Sequence, residues 1–275
     1  YGQEPEYYAL GIEAAGKVIG DPNYRLVASP EEVCTEVLAG NSAEGIFEVC
    51  YDDSRGEYKD FGSYIGGTVE KWPVLKGTTP ASRRKFFIRN ETVERLYTPE
   101  DLRLQAYFAD FFRMKEEPVS VTQGAAYVRM WREVEYYSGG IYDGTPRTLL
   151  ANDILIRLPD ILLLRAEMKA ATGDREGAVA DLDVVRRRAG VAGYSEAEGD
   201  LRRAIQLERD RELLFQTGVR YFDYMRNHTY NLLKGGFRDL TETDVAAGAL
   251  FLPVSLDAMN NNPKVKQTAY WVGKF

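Results

Sequence analysis

Two groups of neighbouring carboxylates are the residues whose types and spacing could support catalysis. Asp52 and Asp53 lie close to Glu57, and Glu133 lies two residues before Glu135. Glycoside hydrolases use a pair of facing acids, one as general acid and one as base or nucleophile. Neither group lies in a recognisable motif, so we favour non-catalytic roles for both. The first group could also bind calcium, although its spacing differs from that of an EF-hand loop.

Other residue types of catalytic sites are scarce. His228 is the one histidine of the chain, which excludes sites built from several histidines. No nucleophile elbow accompanies it, and we expect it to close the C-terminal region of a helix. Cys34 and Cys50 form no C-x-x-C pair, so they are interpreted as small buried residues, with a disulfide as the open alternative. We therefore predict no enzyme, no cofactor and no metal site.

Two segments rich in glycine and aromatic residues are better candidates for a ligand site. One spans residues 52–82, and the other spans residues 138–146 with Tyr136 and Tyr137 directly before it. Loops as long as the first are uncommon in compact domains and are often functional. An aromatic ring stacks on the C–H face of a sugar, while polar groups beside it bind the hydroxyls. On this basis the predicted ligand-binding residues are Tyr58, Tyr64, Trp72, Tyr137 and Tyr142.

The elements that must position these segments are predicted to be mainly helical. Apolar spacing and capping residues predict helices over residues 5–20, 30–40, 85–97, 154–172, 174–190, 198–216 and 218–233. Residues 45–51 predict a short strand, residues 119–137 predict a hairpin or two strands, and the tail from Gly248 is predicted to be extended.

The predicted helices over 154–172 and 174–190 have the features of a tetratricopeptide unit. They have similar lengths and meet at a tight turn around Gly173, and small residues lie where the two helices must approach closely. Such a unit cannot bury its apolar face alone, so we expect other helices to stack on it. Pro159 lies within the first turns of the predicted helix over 154–172, so that helix could instead start at Leu158 or Pro159.

Acidic and basic residues in the second half predict an ion-pair network. Glu208 and Glu212 lie one turn apart on one face of a predicted helix. We expect Arg209, Arg220 and Arg226 to reach such carboxylates and to fix the packing of the helices.

The overall charge argues against nucleic-acid binding. The chain has 35 basic and 42 acidic residues and a net charge of −7, and its one dense basic block, Arg186–Arg188, falls within a helical pattern. Nucleic-acid-binding surfaces have a basic patch or stripe, which this sequence lacks. No run of about 18 apolar residues predicts a transmembrane helix. Residues 1–5 have no signal-peptide character, and we expect the numbering to start within a longer protein.

Six sequence elements, in order along the chain, resemble the SusD-like (RagB/SusD) family. They are Glu44–Val49, Tyr97 with Asp101 and Arg103, Arg157–Glu167, Leu182–Gly190, Ile205–Arg226, and Leu252–Gln267. Together these elements span nearly the whole chain. The sequence departs from the family pattern where Phe215–Gly218 replaces a shorter Phe-Glu-Gly and where Thr268-Ala269 replaces Asn-Pro.

The resemblance implies a fold and a function. The implied fold is a mainly α, tetratricopeptide-like helical scaffold with long irregular loops and a few short strands, in one domain over residues 1–275 that lacks the family's N-terminal helical part. The implied function is non-catalytic capture of glycans or other nutrients at the outer membrane and delivery to a SusC-like TonB-dependent transporter. Membrane attachment would use an N-terminal lipid anchor that this chain does not contain. The alternative is a tetratricopeptide-like protein-interaction scaffold.

Overall fold

The computed structural model describes residues 5–38, 40, 42–50, 88–119, 124–126, 128, 130, 136–137, 148–149, 152–216, 219–232 and 239–274. The chain divides into two compact units, Gly2–Thr217 and Gly218–Phe275. Most described residues are helical and the strands are short, which confirms the predicted fold class. The organisation of residues 1–275 as one domain stays a prediction.

The first unit contains most of the helical structure. Its α-helices are α1 (Pro5–Ile19), α2 (Pro30–Glu32), α3 (Asn90–Leu96), α4 (Leu102–Tyr107), α5 (Phe111–Lys115), α6 (Leu158–Thr172), α7 (Arg175–Arg188) and α8 (Leu201–Glu212). Helix α2 continues directly into a π-helical segment, Val33–Val37. Ser29 caps the N-terminus of α2, because its side chain accepts a hydrogen bond from the Glu32 amide.

Among the described residues, six short strands form three two-stranded antiparallel sheets. The strands are β1 (Gly45–Val49), β2 (Ile88–Arg89), β3 (Ala125–Ala126), β4 (Tyr136–Tyr137), β5 (Thr148–Leu149) and β6 (Asp153–Arg157). Strand β1 pairs with β6, β2 with β3, and β4 with β5. Of the two alternatives predicted for residues 119–137, the hairpin is wrong, because β3 and β4 each pair with a strand elsewhere in the chain, and the two separate strands are confirmed.

The residues before α6 form a strand rather than the first turns of a helix. Strand β6 pairs with β1 from Gly45↔Arg157 to Val49↔Asp153, which satisfies its backbone groups without helical bonds. Helix α6 then starts at Leu158 with Pro159 in its first turn, where a missing amide hydrogen costs nothing. The start predicted at residue 154 is wrong, and the alternative start at Leu158 is confirmed. Likewise, residues 88–89 form β2, so the next helix starts at Asn90 rather than 85.

The helix pair α6–α7 is stacked between other helices, as a unit of this kind requires. Gly173 ends α6 with a left-handed φ of 89°, a conformation that glycine adopts without strain, and the Asp174 side chain caps α7. Helices α1 and α8 both pack against α6. Leu163, Leu182 and Val185 are fully buried in this core.

A second core lies under α3, α4 and α5. Tyr97, Tyr107 and Phe108 are buried there and their rings meet edge to face, with the Tyr97 and Phe108 centroids 5.8 Å apart. Cys34 is buried in this core, as predicted, whereas Cys50 is exposed, so its predicted burial is wrong. Both cysteines are free, which excludes the disulfide between them.

The second unit contains three helices among its described residues, and its aromatic side chains hold an extended segment in place. The helices are α9 (Val219–Arg226), α10 (Glu242–Ala246) and α11 (Leu256–Asn261). The Trp271 indole donates a hydrogen bond to the Phe251 carbonyl at 2.7 Å, and the Gln267 side chain binds both backbone groups of Val254. Helix α11 interrupts the tail that was predicted to be extended. No helix within the described residues is long and apolar enough to cross a membrane.

Candidate functional site

The two predicted ligand-binding segments both lie between β1 and β6. The chain leaves the β1–β6 sheet at Val49 and returns at Asp153, and these two residues are register partners. Tyr137 lies in β4 opposite Thr148 of β5, so the ends of the segment between β4 and β5 are brought together. Four of the predicted ligand-binding residues, Tyr58, Tyr64, Trp72 and Tyr142, lie outside the described residues, and so do the candidate acids Asp52, Asp53, Glu57, Glu133 and Glu135.

A buried network of charged side chains lies in the first unit, with Glu212 of α8 at its centre. Arg157 Nη1 lies 2.6 Å from one carboxylate oxygen of Glu212, and Arg188 Nη2 binds the same oxygen. Arg103 Nη1 lies 3.3 Å from the other oxygen. All four side chains are buried, and three arginines therefore converge on one carboxylate from β6, α7 and α4.

Arg103 is bound on every side of its guanidinium. Asp101, which caps α4, accepts hydrogen bonds from Arg103 Nε and Nη2 at 2.9 and 2.8 Å. Glu208 accepts from Nη1 at 2.6 Å, one turn before Glu212 on α8. Since Asp101 precedes α4 and Glu208 lies on α8, these bonds fix α4 against α8.

Arg157 joins the β1–β6 sheet to the end of α8. It donates to Glu44, just before β1, at 2.6 Å and to the side chain of Gln216 at 2.7 Å. The chain reaches Gln216 through Phe215, whose φ of 60° is left-handed. A bulky residue rarely adopts this conformation, and it allows the chain to turn sharply after α8 and present Gln216 to Arg157.

Electrostatics keep the network ionised despite its burial. Burial opposes the charge of Glu212, but the guanidiniums of Arg188, Arg157 and Arg103 outweigh it and lower the pKa of Glu212 to about 2. Burial likewise opposes the charge of Arg103, and the carboxylates of Glu208 and Asp101 raise the pKa of Arg103 well above its ordinary value. Each charge is thus stabilised by oppositely charged neighbours, as burial requires.

The sequence predicted this network but assigned the wrong arginines to it. Arg209 instead lies 2.8 Å from Asp160, and Arg226 lies 2.8 Å from Asp223 one turn earlier on α9. The Arg220 guanidinium lies over the ring of Tyr224. Apart from Arg211, which lies one turn after Glu208 on α8, the partners of Glu208 and Glu212 come from segments far away in the sequence, which helical spacing cannot identify. A usable signal was present, since Arg103, Arg157 and Arg188 all lie in sequence elements that resemble the family.

An open cleft of about 400 Å³ lies beside the network. Val191 and Ala192 contribute apolar surface, and Thr98, Glu100 and Arg211 contribute polar groups. Arg186 and Glu198 also line it and form a two-pronged pair, with both nitrogen–oxygen distances 2.9 Å. The Arg186 guanidinium lowers the pKa of Glu198, and burial opposes this only partly. No sequence pattern predicted this cleft.

No cluster of three or more His, Cys, Asp or Glu side chains suited to a metal ion occurs among the described residues. His228 is exposed and follows the last residue of α9 by two positions. This position agrees with the predicted role at a helix C-terminus.

The family model of the SusD family matches residues 43–271, which is most of the chain. This chain belongs to the SusD family. The matched range contains all members of the Glu212 network, from Glu44 to Gln216. No curated protein matches the chain significantly.

Solved structures of SusD-family proteins have the same fold. A SusD homologue from Bacteroides thetaiotaomicron is 23% identical, with a TM-score of 0.76, over 97% of this chain and 55% of that protein. Surface glycan-binding protein A from B. thetaiotaomicron, solved in complex with laminarihexaose, is 20% identical, with a TM-score of 0.70, over 97% and 60%. NanU from B. fragilis is 21% identical, with a TM-score of 0.65, over 97% and 59%. This chain therefore spans 55–60% of the length of these proteins.

Proposed function

We propose that this SusD-family chain is part of a non-catalytic cell-surface protein that captures a glycan or another nutrient. Membership of the family carries the proposal, because the family model matches residues 43–271. The same fold occurs in a surface glycan-binding protein that was solved with laminarihexaose. The captured ligand is delivered to a SusC-like TonB-dependent transporter of the outer membrane, and the protein is held at the surface by an N-terminal lipid anchor.

The proposed glycan site is formed by the aromatic residues between β1 and β6. Pairing of Val49 with Asp153 anchors both ends of this insertion on one sheet. Arg157, at the end of β6, is locked to Glu44 and Glu212 in the buried network. A rigid base of this kind lowers the entropy cost of presenting Tyr58, Tyr64, Trp72, Tyr137 and Tyr142 to a sugar.

The arrangement of the helices favours glycan capture over a peptide-binding scaffold. A peptide groove on the α6–α7 pair would need exposed apolar side chains along those helices. The large exposed apolar residues of the described ranges lie elsewhere, and none belongs to α6 or α7. The apolar faces of this pair are instead covered by neighbouring helices, including α1 and α8.

Affinity electrophoresis through gels that contain single soluble polysaccharides tests the proposed site. We expect one polysaccharide class to retard the protein, and we expect Trp72→Ala to weaken binding about tenfold or more, since a stacked indole is a typical binding hot spot. Phe112→Ala is the matched control, because Phe112 is an exposed aromatic residue on α5, outside the proposed site. Retardation that Trp72→Ala and Tyr142→Ala leave unchanged would overturn the proposed location.

A further inference from the structure

We propose that the cleft between α3, α7 and α8 is a second, separate carbohydrate site that takes one neutral hexose unit. This inference rests on the proposed function as a glycan-binding protein. The cleft has about 400 Å³ of space, within the range of about 300–1,000 Å³ that is typical of small-molecule sites. All of its lining residues belong to the first unit and none lies in the aromatic segments.

Arg211 supplies a rigid donor on one side of the cleft. Its Nε binds the Leu96 carbonyl and its Nη1 binds Glu208 at 3.2 Å, so the guanidinium cannot rotate freely. Its Nη2 has no hydrogen-bond partner among the described residues. A guanidinium fixed in this way can donate to a ligand oxygen with little further loss of side-chain entropy.

Acceptors line the same cleft as this donor. Glu100 is exposed and has no ion-pair or hydrogen-bond partner within the described ranges. Glu198 is held by Arg186 and by the Ser195 amide, yet 38% of its side chain is exposed, which leaves lone pairs accessible. The Thr98 hydroxyl is exposed beside them.

The combination of groups fits a neutral sugar ring. Hydroxyls both donate and accept, so they can use Arg211 and the two carboxylates together. The C–H face of the ring would lie against Val191 and Ala192. An anionic sugar is disfavoured, because Arg186 is already neutralised by Glu198 while Glu100 remains a free negative charge.

Saturation-transfer NMR with methyl glucoside, methyl galactoside and methyl mannoside tests the cleft. We expect at least one of these hexosides to bind the parent chain weakly. Ala192 is an exposed residue that lines the cleft, and Ala192→Trp should fill the space and reduce the signal at least fivefold. Ala197→Trp is the matched control, because Ala197 is exposed in the same connection but does not line the cleft. Glu100→Gln should weaken binding several-fold without a change in thermal stability.

Parallel electrophoresis with Trp72→Ala separates failure of this inference from failure of the proposed function. The cleft site would be overturned if the hexoside signals persist in Ala192→Trp or are absent from the parent chain. In either case, polysaccharide retardation that is lost in Trp72→Ala would still support the proposed function. Hexoside signals lost in Ala192→Trp would support the cleft even if no polysaccharide binds. Binding of lysine methyl ester in place of the hexosides would show a cation site and overturn the inference.

Discussion

The Glu212 network and the cleft beside it consist of the same residue types in different surroundings. In the network, Arg103 donates to three carboxylates and its side chain is fully buried. In the cleft, Arg211 keeps one nitrogen without a partner in the described structure, and Glu198 is partly exposed. Arg186 belongs to both, since it binds Glu198 and lies 3.4 Å from Glu208.

The difference shows how burial decides the role of a charged group. A buried charge must be paired, because losing its partners costs far more than the pair contributes. The network therefore fixes the positions of β6, α4, α7 and α8 and leaves few groups for a ligand. The cleft residues remain in contact with solvent, so their unpaired groups cost little and can bind a ligand.

Removing one arginine from the network should have the largest effect. Arg103→Met leaves Asp101 and Glu208 without their buried partner, so we expect a loss of about 3–5 kcal/mol in the free energy of unfolding. Urea denaturation followed by circular dichroism measures this loss. Arg175→Met is the control, because the Arg175–Glu196 pair lies on the surface, and its urea midpoint should not move. Equal stability of both variants would contradict a structural role for the network.

Lowering the pH should have the second largest effect, because acid weakens the Glu212 network. The pKa of Glu212 is about 2 in the folded chain, against an ordinary value of 4.5. A folded-state pKa below the unfolded one gives stability that is complete above about pH 4.5 and is lost as the pH falls towards 2. We expect the free energy of unfolding to decrease steadily from pH 5 to pH 2. A constant value down to pH 3 would show that the three arginines do not hold Glu212 ionised.

The cleft pair should contribute least to stability. Glu198→Gln removes the exposed partner of Arg186, while Glu208 remains beside that guanidinium. We expect a loss of about 1 kcal/mol or less, measured in the same urea titration. A loss as large as that of Arg103→Met would mean that the cleft pair is part of the structural network, and the distinction between the two regions would fail.

Local signals predicted much of the helical scaffold. The start of α7 follows from Asp174, which caps it, and the end of α1 follows from Gly20. Strand β6 was missed because its conformation depends on pairing with β1, more than 100 residues earlier. An apolar stretch that leads into a helix has the same composition whether or not a distant strand pairs with it.

The functional site was less accessible to sequence reasoning than the scaffold. Glu208 and Glu212 were identified from their spacing on one helix, but apart from Arg211 of the same helix their arginines come from α4, β6 and α7. The cleft depends on the backbone around Val191 approaching Leu96, which no local pattern encodes. The aromatic candidates, including Trp72, were chosen by residue type and stay a prediction.

Titration calorimetry with a panel of soluble polysaccharides, followed by a reducing-end assay on the same samples, tests the central claim most directly. We predict saturable binding of one polysaccharide class with no new reducing ends after prolonged incubation, as expected for a capture protein. The appearance of new reducing ends would contradict the account, because it would show that the protein hydrolyses the glycan, and a pair of acids such as Glu133 and Glu135 would become the candidate catalytic residues.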